Sequence, residues 1–66
     1  MNNIEIIRKR KGITQKELVD QIGVSVKTYN NWVKERNPIP SDKLIAISKI
    51  LSVSIDEMLG INTKNW

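Results

Sequence analysis

Sixty-six residues with 11 Lys and Arg, 7 Asp and Glu, no His and no Cys make one domain at most, because a chain this short buries only about 60% of the surface that its unfolded form exposes. The missing Cys excludes disulfides, thiolate zinc sites and thiol nucleophiles, and the missing His removes the commonest general base, so no enzyme, metal or cofactor is expected. The net charge of +4 is uneven, with eight Lys and Arg against four acids in residues 1–36 but three against three in residues 37–66, which points to a polyanion partner unless the surplus only serves solubility.

Apolar stretches fall far short of the roughly 20 residues that cross a bilayer. Asn2 and Asn3 stand where a secretory leader would carry basic and apolar residues, so a soluble, cytoplasmic protein is expected, with no membrane partner. Apolar positions recur at helical spacing and nothing alternates with period two over strand length, which predicts an all-α fold of five short helices. The domain should use residues 1–66, with its core in 4–59 and a short tail in 61–66.

The first helix is predicted from about Ile4 to Lys11, burying Ile4 and Ile7 and closing at Gly12; Ile13 then enters the core. Thr14-Gln15-Lys16-Glu17 has the spacing of a capping box, which opens a second helix carrying Leu18, Val19 and Ile22 inward. Gly23 ends that helix, and after Val24 the residue Ser25 caps a third, from Val26 to about Lys34. Two helices joined this tightly must cross steeply. Pro38 and Pro40 mark a loop, and Ser41 is predicted to cap a fourth helix with Leu44, Ile47 and Leu51 inward. Ser54-Ile55-Asp56-Glu57 is a second capping box, opening a short fifth helix that closes at Gly60.

The segment Gln15 to Trp32 therefore reads as two helices across a turn of three or four residues. Arg8, Gly12-Ile13-Thr14-Gln15, Glu17-Leu18, Ile22-Gly23-Val24-Ser25, Thr28, Trp32 and the closing Val53-Ser54-Ile55-Asp56-Glu57-Met58-Leu59 resemble the helix-turn-helix family of the lambdoid repressor and Cro type, over about residues 4–59. The resemblance implies a five-helix lambda repressor-like domain. It implies a sequence-specific transcriptional regulator of double-stranded DNA, expected to be a repressor, that docks its third helix in the major groove and acts as a homodimer on a pseudo-palindromic operator.

A helical wheel, independent of that resemblance, puts Tyr29 and Trp32 on one side of the third helix, as core, and Val26, Lys27, Asn30 and Asn31 on the other. Asn31 has the amide to bond adenine twice, Lys27 reaches guanine acceptors or a phosphate, and Val26 suits a thymine methyl; otherwise these residues are a solvated face. Matching to the family assigns base contacts to Val26, Lys27 and Asn31, and less firmly to Asn30 and Thr28. It assigns phosphate contacts to Arg8, Gln15 and Thr28. Gln15 would hold its phosphate with its amide and the helix N-terminus together, unless it is surface filler. Lys34, Arg36 and Asn37 follow where neighbouring phosphates should lie. Lys9, Arg10 and Lys11 add to the field, or simply complement the end of the first helix's dipole.

Ile50, Met58, Ile61 and Trp66 are apolar beyond the needs of the core and are expected at a dimer interface, the alternative being that Met58 and Ile61 pack on their own domain and Trp66 is a frayed end. With no sensor segment in view, no small-molecule ligand is expected and occupancy alone would regulate. Four departures from the family pattern stand out. Val19 replaces a usually small residue where the two motif helices come closest, which is expected to widen their crossing slightly. Val33 follows Trp32 where the family often has a glutamate able to pair with the arginine at the position of Arg8. The loop from Val33 to Pro40 lacks the usual glycine, and Ser52 stands where a helix-ending glycine is common. The rival reading is an antitoxin or a protein-binding helical adaptor of the same fold.

Overall fold

The short-range capping signals decide where the helices begin. The computed structural model describes residues 2–60, and within them lie α1 (Ile4–Arg10), α2 (Gln15–Ile22), α3 (Val26–Val33), α4 (Ser41–Leu51) and α5 (Ile55–Leu59). No strand occurs among the described residues; Ile61 and Trp66 lie outside them.

At α2, Thr14 Oγ1 accepts from Glu17 N–H at 3.1 Å while Glu17 Oε1 accepts from Thr14 N–H at 3.1 Å, so the full capping box forms. Ser25 and Ser54 each accept from the backbone N–H three residues on, at 3.1 and 3.0 Å; at Ser54 the return bond from Glu57 does not form among the described residues. α4 starts one residue earlier than predicted. Pro40, not Ser41, is its N-cap, and the Pro40 carbonyl accepts from Leu44 N–H at 2.9 Å. Proline needs no partner for its own nitrogen, so a cap there leaves one orphan donor fewer.

The helix-turn-helix corner turns on Gly23. At φ 74 it lets its own N–H and that of Val24 both reach Val19 O, at 2.8 and 3.2 Å, before Ser25 starts α3; a side chain would strain this left-handed backbone. Two helices end the same way without glycine. Glu35 closes α3 at φ 58 and Ser52 closes α4 at φ 57, each inside a pair of nested bonds: Arg36 N–H to Asn31 O and Glu35 N–H to Trp32 O, then Val53 N–H to Ser48 O and Ser52 N–H to Lys49 O.

The core gathers Ile4 and Ile7 of α1, Leu18, Val19 and Ile22 of α2, Tyr29 and Trp32 of α3, Ile47 and Leu51 of α4, and Met58 of α5. Met58 corrects one expectation. It is fully buried in its own domain, packed with the core rather than offered to a second copy, because α5 lies against both α1 and α4. Ile50 is partly buried against the same core.

Polar bonds lock the frame that holds α3. Asn2 Nδ2 donates to Trp32 O at 3.0 Å while Asn2 Oδ1 accepts from Ile4 N–H, tying the approach to α1 onto the end of α3. Asn3 N–H donates to Met58 O at 2.7 Å. Lys43 Nζ donates to Ile22 O at 2.8 Å, placing a cation from α4 on the negative end of the α2 dipole, whose own last turn has no basic residue.

Candidate nucleic-acid interface

A helix start and a helix face meet on one side of the molecule. With the α2 capping box complete, the backbone N–H groups of Gln15 and Lys16 have no acceptor among the described residues and point out of the helix, the arrangement that holds an anion. On α3, Tyr29 and Trp32 are buried at 0% and 5% exposure, which turns Val26 and Lys27 outward and leaves Asn30 and Asn31 half-buried beside them. Gln15 joins the two features, since its Nε2 donates to Asn30 Oδ1 at 3.4 Å.

Behind this contact sits Glu5 of α1. Its Oε1 accepts from Gln15 Nε2 at 2.8 Å and from Arg8 Nη2 at 3.1 Å, and its Oε2 accepts from Arg8 Nε and from the Tyr29 hydroxyl at 2.7 Å. The hydrogen bond from Arg8 first, and then those from Tyr29 and Gln15, hold the Glu5 carboxyl at about 2 against an ordinary 4.5, although burial pushes it upward. Burial, with the bond to Glu5, pushes the Tyr29 hydroxyl well above its ordinary 10. The guanidinium of Arg8 also donates to Ile13 O at 2.6 Å, so one ion pair stitches α1 to the turn before α2 and to α3.

Among the described residues no group of His, Cys, Asp and Glu could hold a metal ion, and no helix is long and apolar enough to cross a membrane. A cleft of about 350 Å³ opens at the far end of α3, between Trp32, Pro38, Ile39 and Leu59, on the inward rather than the outward side of that helix.

A helix-turn-helix family model matches residues 4–58, the span that holds all five helices but for Leu59. The chain belongs to the Cro/C1-type helix-turn-helix family. It is also 31% identical over 55 residues to an uncharacterized HTH-type transcriptional regulator, YobD, of Bacillus subtilis strain 168; the match covers 83% of this chain and 49% of that protein. The chain thus spans about half the length of the curated relative it matches.

Within this helix-turn-helix domain the expected site residues fall into three groups. Val26, Lys27, Asn30 and Asn31 share the open face of α3, and Lys34, Arg36 and Asn37 are exposed just beyond it. Gln15 and Thr28 stand at the right helix starts, but with side chains already engaged. Both Gln15 amide donors are directed inward, to Glu5 and Asn30, and Thr28 Oγ1 accepts from the Ser25 hydroxyl at 3.0 Å, so what Gln15 offers a phosphate is its backbone N–H. Arg8 is 8% exposed with three of its five donors committed inside the domain, so it acts here as an internal strut, with two donors left over. The partner lost with Val33 is supplied by Glu5 instead, at i−3 on the same helix. Glu5 is the residue that sequence reasoning missed, and its spacing to Arg8 was the available signal.

Proposed function

We propose that this domain is a sequence-specific transcriptional regulator of double-stranded DNA, acting as a repressor, with α3 in the major groove and two copies on adjacent half-sites. The observation that carries the reading is the contact of the α2 N-terminus with the outward face of α3 through Gln15 and Asn30. A phosphate on the Gln15 and Lys16 N–H groups fixes the depth and register of the domain, and that register brings Val26, Lys27, Asn30 and Asn31 to base edges. Lys34 and Arg36 hold the backbone beyond the groove. Phosphate contacts alone give only weak, non-specific binding, about 0.1 mM to 1 µM at physiological salt, so a second copy on a half-site about 10 base pairs away supplies the missing affinity. Its interface would draw on the accessible part of Ile50 and on Ile61 and Trp66, which lie outside the described residues. Bound over a promoter, the dimer blocks polymerase by occupancy.

The test is a fluorescence-anisotropy titration on the duplex upstream of the protein's own gene and on a scrambled duplex, with Asn31→Ala alongside. The native duplex is expected to bind at least about a hundredfold more tightly, and the variant to lose roughly 1 to 3 kcal/mol on it. Equal weak binding to both duplexes, unchanged in the variant, would overturn base readout and favour a protein partner.

A further inference from the structure

We infer that Glu5, from inside the domain, sets the hydrogen-bonding polarity of the recognition helix through Gln15, so that Asn30 offers DNA a donor and not an acceptor. The inference rests on the reading of α3 as the base-contacting helix. It follows from what each group is able to do. An ionised carboxylate only accepts, so the Gln15 amide must turn its nitrogen to Glu5 Oε1, where it lies at 2.8 Å. The Gln15 oxygen could not take that place, since it would face a negative charge across a hydrogen-bond distance. The second proton on the same nitrogen then points at Asn30, and Asn30 must answer with its oxygen, at 3.4 Å.

That leaves Asn30 Nδ2 without a partner among the described residues, and it is not a buried atom. An asparagine free to rotate its amide can bond adenine at both N7 and N6. Asn30 with its oxygen drawn towards Gln15 turns its NH2 to the groove, which matches guanine N7 and O6 or thymine O4. The choice is rigid because Glu5 is itself held by Arg8 and by the Tyr29 hydroxyl. Glu5 is therefore a positioning residue, two hydrogen bonds away from Asn30 and three from any base.

Two measurements test this. The first needs no DNA: in ¹⁵N-resolved NMR spectra of the free protein, the Gln15 side-chain NH2 should show cross-peaks to the Tyr29 ring and to Asn30 and exchange slowly with solvent. Both features should vanish in Glu5→Gln, while the backbone pattern stays folded. The second is selection from a randomised duplex library. The native domain should prefer guanine or thymine by about tenfold or more at one base pair, and Asn30→Ala should lose that preference. Glu5→Gln should reduce it to within about threefold of none while leaving the preferences set by Lys27 and Asn31 in place. Gln15→Met cuts the relay without touching the Glu5–Arg8 pair and should relax the same base pair, which keeps the test decisive if Glu5→Gln does not fold. An unaltered preference in folded Gln15→Met, or a loss spread evenly over all positions, would overturn the inference. A native domain with no sequence preference but with the amide cross-peaks present would instead sink the proposed function and leave the internal relay standing.

Discussion

Glu5 joins three helices through one carboxylate, and its ionisation is therefore linked to folding. Its folded pKa of about 2 lies below the ordinary 4.5, so the stabilisation is complete above pH 4.5 and is lost as the pH falls through 2. Two and a half units correspond to roughly 3.4 kcal/mol; discounted for the solvent contact that the carboxylate keeps, the contribution is about 2 kcal/mol. Thermal melts at pH 7 and pH 2.5 should show Glu5→Gln less stable at neutral pH but losing less on acidification than the native chain. Glu17, lowered by the Thr14 backbone and hydroxyl bonds, adds acid sensitivity of the same sign, so only the difference between the two proteins reports on Glu5. Identical drops in melting temperature would remove the ion pair from the energetics. Only the arm to Arg8 was legible locally, from its i, i+3 spacing; an acid in the first turn of a helix otherwise reads as a dipole complement, and the other two partners stand 10 and 24 residues away.

At the scale of elements, starts were more legible than ends. Thr14, Ser25 and Ser54 declare α2, α3 and α5 to the residue because an N-cap works through a side chain that the sequence names. Gly12, Gly23 and Gly60 were equally plain. Glu35 was not, since nothing in a glutamate announces a left-handed backbone, and Ser52 was marked only by its place where the family commonly has glycine; at both, the turn is imposed by the nested bonds and by the packing of Trp32 and Leu51 into the core. The Lys43 bond to the end of α2 was hidden for another reason, because it spans 21 residues between helices whose packing only the fold reveals. An L-residue in that conformation costs roughly 1 to 2 kcal/mol, partly offset in glycine by the larger entropy it loses on folding. Ser52→Gly is therefore expected to stabilise the domain by up to about 1 kcal/mol, which at that limit raises its melting temperature by about 4 to 8 °C. Ser52 is exposed and its side chain holds no bond among the described residues, so a loss of stability would mean that the strain is not there to be relieved.

Across the whole molecule, the structure sharpens where the positive charge acts. Of the eight Lys and Arg in residues 1–36, Arg8 is neutralised by Glu5 and Lys16 pairs with Asp20 at 3.1 Å on the same helix. That leaves Lys27, Lys34 and Arg36 along and just beyond α3, and Lys9, Arg10 and Lys11 at the end of α1. The number of copies on DNA can be counted from this layout. Each neutralised phosphate contributes about −0.9 to the slope of log K against log salt, so Lys34→Ala should reduce the magnitude of that slope by about one for every copy bound. On a duplex with two half-sites the expected reduction is about two; on a duplex with one half-site it is about one, with base preferences unchanged on both. Lys34 is exposed and outside the core, so the variant should melt with the native protein and the slope should report contacts rather than folding. A reduction of one on both duplexes would mean that a single copy makes the complex, and the dimer would fall while the docking of α3 stood. No reduction on either would take Lys34 off the phosphate backbone and place the edge of the interface nearer to Lys27.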